Sequence, residues 1–217
     1  MEKNEIRRMV KGRRRELPEM VLLDKSRRIC EIVMGFDTFR LADEIFVYMD
    51  CKGEVSTKLL MEEAWRLGKK VAAPKVEGED MRYYYISSFE DVANGYFHVP
   101  EPITGQLADN GASDSERLNS YKSSEQIEQD DSERLQVKDL PEEQKKRVLL
   151  IVPGVGFDRN RNRCGYGKGF YDRYLAAHPD YATVALAFDF QIVDEVPVRA
   201  EDIRPQVLVT ESQVITD

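Results

Sequence analysis

From Val152 to Leu175 the chain reads Val-Pro-Gly-Val-Gly-Phe-Asp-Arg-Asn-Arg-Asn-Arg-Cys-Gly-Tyr-Gly-Lys-Gly-Phe-Tyr-Asp-Arg-Tyr-Leu, a run with five glycines and five basic residues. Gly165, Gly167 and Gly169 let the backbone take positive φ and leave its N–H groups uncovered. Successive N–H groups at the start of a helix make a seat for an anion, and Arg163 and Lys168 add charge to it. This is the chemistry of phosphate handling, but not of the P-loop. That loop needs four residues between its first glycine and Gly-Lys-Ser/Thr, and Gly169 stands where the hydroxyl residue belongs. A dinucleotide fingerprint also fails, because its helix begins inside the glycines and an acidic ribose partner must follow.

The elements that must position this loop are legible around it. Val148–Val152 is an apolar run bounded by Lys-Lys-Arg and Pro-Gly, which reads as a buried strand, and the helix after the loop runs from Tyr171 to Ala177. At the other end of the chain, Ile6, Met9, Val10 and Leu17 have near-helical spacing among basic residues, so residues 2–16 are predicted to form an amphipathic helix. Pro18 suits the first turn of a second helix running to about Met34, with Val21, Leu22, Ile29 and Val33 inward and Gly35 as its stop. Glu44–Tyr48 is a short strand. Ser56 and Thr57 are predicted to cap a helix carrying Leu59, Leu60, Ala64 and Leu67, and Gly68 ends it before a strand over Lys70–Ala73. That is a βαβ unit. Met81–Ile86, Thr183–Phe188 and Gln206–Val209 are further strands, and Phe97–Pro102 is an extended Pro-bounded segment. Strands alternating with helices predict an α/β fold with a mostly parallel central sheet covered on both faces.

Pro153-Gly-Val-Gly-Phe-Asp158 followed by Asn162-Arg-Cys-Gly-Tyr-Gly-Lys-Gly-Phe-Tyr-Asp-Arg-Tyr-Leu175 resembles the signature of the 5-formyltetrahydrofolate cyclo-ligases, or 5,10-methenyltetrahydrofolate synthetases. Three further segments fit that family in the same order. Lys3 to Arg7 resembles its nucleotide-contacting first helix, and Tyr48 to Thr57 its folate-holding strand-to-helix turn. Ala187 to Gln191, Val196-Pro197, Asp202 and Val209-Thr-Glu211 resemble its closing region. The pattern departs at Cys164, Tyr166 and Phe170, where relatives usually carry an aliphatic residue, a basic or small residue, and a tyrosine.

The resemblance implies a three-layer Rossmann-like fold and ATP-dependent closure of 5-formyltetrahydrofolate to 5,10-methenyltetrahydrofolate, releasing ADP and phosphate. A formamide oxygen is a poor leaving group, so the γ-phosphoryl is first placed on it and N10 then closes the ring. Two ligands must be held and a moving phosphoryl group neutralised. Carried over residue by residue, Lys168 and Arg163 are the catalytic cations. Lys3, Arg7, Arg163, Gly165, Gly167, Lys168, Gly169 and Tyr171 hold ATP. Met49, Glu54, Tyr166, Phe170 and Tyr171 meet the folate, which can carry a polyglutamate tail. Asp172 and Asp202 are expected to ligate Mg²⁺, since carboxylate oxygens suit that hard cation; the rival role for Asp172 is a helix cap, and for Lys3 and Arg7 surface decoration. Asp158 is expected to close the turn after Phe157.

At 217 residues with a net charge of −8, the chain is long enough for one core, and nothing in it suggests nucleic acid as a partner. No segment has the roughly 18 to 20 apolar residues that span a bilayer, and no hydrophobic signal region follows the charged N-terminus, so a cytoplasmic protein is expected; as a cyclo-ligase it is expected to be monomeric. Cys30, Cys51 and Cys164 lie far apart, and with His98 and His178 they form no zinc or disulfide pattern. Residues 104–142 hold ten acidic and four basic residues, six serines and one aromatic, Tyr121, which predicts a flexible acidic insertion in an otherwise single domain. Two other functions stay open from the residues alone. One is a non-catalytic nucleotide- or folate-binding relative; the other is an enzyme resembling sugar-phosphate isomerases, which would need a general base that does not stand out.

Overall fold

A computed structural model describes residues 1–51, 53–95, 99–103, 105–108 and 146–216. Helices α1 (Lys3–Glu16), α2 (Glu19–Met34) and the short α3 (Asp37–Leu41) precede strand β1 (Glu44–Phe46). α4 (Lys58–Arg66) carries the chain to β2 (Lys70–Glu77), parallel to β1, and β3 (Asp80–Ile86) returns antiparallel. β4 (Val92–Asn94) and β5 (Pro100–Pro102) form a separate ribbon. β6 (Val148–Val152) leads into a small hairpin, β7 (Gly156–Phe157) with β8 (Arg163–Cys164), and then α5 (Phe170–Ala177). β9 (Ala182–Leu186), β10 (Val207–Val209) and β11 (Val214–Ile215) complete the fold.

The main sheet runs β11-β10-β9-β6-β1-β2-β3, with the inner five strands parallel and both edge strands antiparallel. The apolar run of β6 explains its central place. Leu149 and Ile151 enter one hydrophobic cluster, shared with α2 and α4, while Val148, Leu150 and Val152 enter another, shared with α5 and β3. Alternate side chains of a strand point to opposite faces, so an unbroken apolar run requires cover on both. The expected α/β architecture, with a mostly parallel sheet between helical layers, is what the chain adopts.

The chain moves from β1 to β2 on one side and from β6 to β9 on the other. Between β1 and β6 the strand order therefore reverses, and segments leaving their carboxyl ends diverge to leave a crevice. The turn after β1 contains Glu54, and the loop after β8 contains the glycines.

α1 closes this edge. Ile6 and Val10 are buried with Val155, Cys164 and Val196 in a third cluster, and Gly156 is what lets the helix come so close. A Cβ at Gly156 would stand 2.5 Å from Ile6 Cγ2.

Several local expectations change. Val21 is exposed rather than inward, because it sits one residue, about 100° of helical turn, away from the Leu22 stripe. Leu67 is also exposed, lying at the C-cap of α4 rather than on its inner face. Thr57 is the N-cap residue of α4 but its hydroxyl does not cap: it donates to the Tyr48 carbonyl at 2.9 Å and closes the turn back onto β1. Residues 105–108, placed by composition at the start of the acidic insertion, instead line the edge of the sheet. Tyr85 N–H donates to Gln106 at 2.9 Å and Ala108 N–H to Tyr83 at 2.8 Å, because edge-strand groups need partners. The rest of the expected insertion, and Phe97 and His98, lie outside the described residues.

Gly156→Ala should overpack the helix seat and cost about 1–3 kcal/mol. For a chain of this size that lowers the melting temperature by roughly 3–10 °C. A melting curve indistinguishable from the wild type would show that α1 is not seated against this glycine.

Candidate active site

Lys3, Arg7 and Arg14 fall at helical spacing along α1, and each reaches toward the crevice. Lys3 Nζ lies 2.5 Å from Asp202 Oδ2. Arg7 Nε donates to the Gly165 carbonyl at 2.8 Å, and its Nη1 to Asn4 Oδ1 at 2.7 Å. Arg14 Nη1 donates to the Tyr166 hydroxyl at 3.1 Å and Nη2 to the Gly154 carbonyl at 3.2 Å. One helix thus grips the strand-exit segment and the glycine loop at three points.

Below the loop lies a second ion pair, Arg163 Nη2 to Asp172 Oδ1 at 2.6 Å. Asp172 Oδ1 also accepts from Ile203 N–H at 3.3 Å, which brings it next to Asp202. Two cations and two carboxylates therefore share one corner. Burial pushes the Asp202 carboxyl up, but Lys3 and the Arg199 N–H outweigh it and hold the group below its ordinary value. Arg163 is buried and its Nε has no partner, so part of a desolvated cation is held without compensation.

The loop between these groups is shaped by glycine. Gly167 has φ +103°, and the site a Cβ would take there is 3.4 Å from Arg7 Nη2. Gly169, at φ +70°, is the N-cap of α5 and turns the chain into the helix, so the helix N-terminus opens toward the crevice. Tyr166, Gly167 and Lys168 are exposed.

On the β1 side the central group is Glu54, buried at 8% exposure. Its Oε2 accepts the Cys51 N–H at 3.0 Å and its Oε1 accepts a short hydrogen bond from the Tyr166 hydroxyl. Burial raises the Glu54 carboxyl above its ordinary value, with Tyr166, Arg14 and Cys51 opposing the rise. Hydrogen bonds pin the described residues of the turn: Tyr48 Oη donates to the Val55 carbonyl at 2.7 Å, Ser56 N–H to Ser26 Oγ at 3.0 Å, and Thr57 N–H to Asp50 Oδ1 at 3.1 Å. A cleft of about 380 Å³ opens beside it, lined by Leu17, Leu22, Ser26, Asp50, Gly53 and Glu54 among others. A larger hollow of about 580 Å³ lies at the amino-terminal end of β2, around Trp65, Lys70 and Tyr85, and contains none of the groups above.

Of the residues singled out from sequence, Lys3, Arg7, Arg163, Gly165, Gly167, Lys168, Gly169, Asp172 and Asp202 gather around one corner, and Glu54 meets Tyr166. Tyr171 is half-buried, with the Arg163 guanidinium 5.7 Å from its ring centre. Phe170 is half-buried under the Arg173 guanidinium at 5.2 Å. Met49 is 7% exposed and packs in the core cluster with Val47 and Tyr48 at the end of β1. Asp158 closes its turn as expected, accepting from Asn160 and Asn162 N–H at 2.9 Å each. Sequence reading passed over Arg14, Ser26 and Asp50. For Arg14 the signal was its helical spacing from Lys3 and Arg7, masked by the other basic residues of α1.

Fold and site define an α/β enzyme with a basic glycine loop and a buried carboxylate on opposite walls of its switch-point crevice. A model of the 5-formyltetrahydrofolate cyclo-ligase family matches residues 1–211, and the chain belongs to that family. It is 29% identical to the 5-formyltetrahydrofolate cyclo-ligase of Escherichia coli strain K12, over 95% of this chain and 98% of that one. The NMR structure of Aquifex aeolicus 5,10-methenyltetrahydrofolate synthetase superposes with a TM-score of 0.74 at 28% identity, covering 100% of this chain and 93% of that one. The fold is also that of a 5,10-methenyltetrahydrofolate synthetase from Mycoplasma pneumoniae, with a TM-score of 0.66 at 19% identity, covering 97% and 99%.

A carboxyl whose value rises on folding binds its proton more tightly in the native state, so its contribution to stability falls as pH rises from its ordinary value of 4.5. Glu54→Gln removes that dependence. The melting temperature of Glu54→Gln minus that of the wild type should therefore increase between about pH 4 and pH 8. A difference that shrinks over that range would mean that Glu54 is stabilised as the anion.

Proposed function

We propose that this chain converts 5-formyltetrahydrofolate and ATP to 5,10-methenyltetrahydrofolate, ADP and phosphate. The observation that carries the reading is the hydrogen bond between Tyr166 and Glu54: it sets a cation-lined phosphate seat directly against a buried carboxylate, so two chemically different ligands can meet there.

In this reading ATP lies along the glycine loop. Its phosphates take the N–H groups at the start of α5, with Lys3, Arg7, Arg163 and Lys168 as counter-charges. Glu54 accepts hydrogen bonds from the donor edge of the reduced pterin and points the N5-formyl group at the γ-phosphorus. The formyl oxygen attacks phosphorus, the bond to the β,γ-bridging oxygen breaks, and ADP leaves. The N5–C–O unit becomes an iminium phosphate. N10 adds its lone pair to that carbon and closes the ring; the C–O bond then breaks, phosphate departs, and N10 loses its proton to solvent or phosphate. Lys168 and Arg163 neutralise charge on the phosphoryl oxygens as it moves between acceptors. Tyr171 and Phe170 supply the wall at the folate end.

Asp172 and Asp202 fit a Mg²⁺ ion that arrives with ATP. Among the described residues no group of three or more ligating side chains could hold a metal by itself, but nucleotide-bound Mg²⁺ needs only one or two carboxylates besides phosphate oxygens and water. When bound, the ion would supply charge neutralisation at the phosphates. Lys3 and Arg163 hold the two carboxylates in place.

Mixing the protein with 5-formyltetrahydrofolate, ATP and Mg²⁺ should produce the methenyl chromophore in the near ultraviolet, and chelation of the metal should stop it; no signal with active folate present would sink the reading. Lys168→Ala should lower kcat by about 10²- to 10⁴-fold, as expected for a lost phosphoryl-charge contact. Its melting temperature should stay within about 1–2 °C of the wild type, since the side chain is exposed. Near-wild-type turnover would remove Lys168 from the mechanism.

A further inference from the structure

We infer that Arg14 is a positioning residue of the folate half of the site, orienting the Tyr166 hydroxyl onto Glu54 and supplying the counter-charge for that carboxylate. The inference rests on the assignment of Glu54 to the folate.

The geometry is specific. Arg14 crosses between the two walls of the crevice. Its stem lies against the β1-side turn, where a Cβ on Gly53 would be 3.6 Å from Arg14 Cβ and 3.9 Å from its Cδ. Its guanidinium lies against the other wall, bonded to Tyr166 and to the Gly154 carbonyl. Gly53 takes φ +72°, and a Cβ there would stand in ordinary contact with this stem and with Leu22 Cδ1 at 3.5 Å, so the Arg14 stem packs directly on the turn that carries Glu54.

Arg14 is 6% exposed, and its Nε has no partner among the described residues. Holding a desolvated cation with an unused N–H costs stability, and an opposite charge nearby offsets that cost. Glu54 is that charge, linked through one phenol. Tyr166 is an apt link because the residue is half exposed, at 47%, while its hydroxyl lies between Arg14 and Glu54, and Gly165 and Gly167 flank it. The loop that seats the phosphates is thereby registered to the carboxylate that seats the pterin.

The charge balance points the same way. Glu54 is faced by Arg14 from α1, Tyr166 from the glycine loop, Tyr171 from α5, Tyr48 from the end of β1 and Cys51 from its own turn, with Glu19 and Asp50 also lining its cleft. Among the described residues of that set, Arg14 is the one cation. Burial works against the ionised carboxylate, and Arg14 works for it. Without the guanidinium, Glu54 takes up a proton at higher pH and loses the acceptor that a pterin's donor edge requires.

Steady-state kinetics of the full chain with Arg14→Gln, Arg14→Lys, Tyr166→Phe and Glu54→Gln test this. Arg14→Gln should raise the KM for 5-formyltetrahydrofolate by about 10- to 100-fold, as for the loss of a hydrogen bond involving a charged group, and leave the KM for ATP within about 2-fold. It should also move the acid limb of kcat/KM for folate to higher pH. Arg14→Lys should bring that limb back toward the wild type by restoring the charge, while Tyr166→Phe should raise the folate KM with the ring retained. Should Arg14→Gln fail to fold, the last two variants carry the test. An unmoved acid limb with a wild-type folate KM overturns the role of Arg14, as does an equal rise in the KM for ATP. If Glu54→Gln itself keeps the wild-type folate KM, the assignment of Glu54 falls and this inference with it; if Glu54→Gln is impaired and Arg14→Gln is not, only the inference falls.

Discussion

The close approach of α1 to the segment after β6 is the contact on which the site depends. Ile6 sits where a side chain on Gly156 would be, and that vacancy lets the helix lie directly on the β7–β8 hairpin. From that seat a helix whose apolar stripe is buried must turn its neighbouring stripe toward the crevice, and there it carries Lys3, Arg7 and Arg14. The first sixteen residues thus complete a site whose loop lies some 150 positions later. A shift of one helical turn would move every guanidinium and ammonium by about 5.4 Å, far outside hydrogen-bond reach.

The remaining features of the site follow from where the sheet reverses its strand order. β1 and β6 are neighbours, yet their continuations go opposite ways, so the turn with Glu54 and the loop with Lys168 face each other, joined by the Tyr166–Glu54 hydrogen bond. One wall is pinned by hydrogen bonds through Tyr48, Ser26 and Asp50; the other is glycine-rich and exposed at Tyr166 to Lys168. That division suits a reaction in which the folate must be held in one pose while a phosphoryl group changes partners. The paired charges Lys3–Asp202 and Arg163–Asp172 keep four ionised groups in one corner at near-zero net charge, which lets them stay partly buried.

Much of this was legible in the chain before any coordinates. The β6 run predicted its own strand to the residue, the βαβ unit from Glu44 to Ala73 is present, and the glycine loop ends on a helix as read. These features are local, written in hydrophobic period and in glycine placement. What was misread involves competition between local and distant partners. Thr57 has the side chain of a cap but finds the Tyr48 carbonyl instead. Residues 105–108 have the composition of a loop but complete an edge strand.

By itself, the sequence determined that this is an α/β protein with an anion-binding loop, and through four ordered motifs it pointed to the right family, because backbone conformation and side-chain chemistry at a short motif depend on neighbouring residues alone. Only the tertiary structure decided that Arg14 joins Lys3 and Arg7 on the side of α1 that meets the glycine loop, and that Tyr166 bridges Arg14 and Glu54. Those choices depend on the depth and rotation at which α1 docks, and that is settled by Ile6, Val10 and Gly156 packing across most of the chain's length, a distance over which periodicity carries no information.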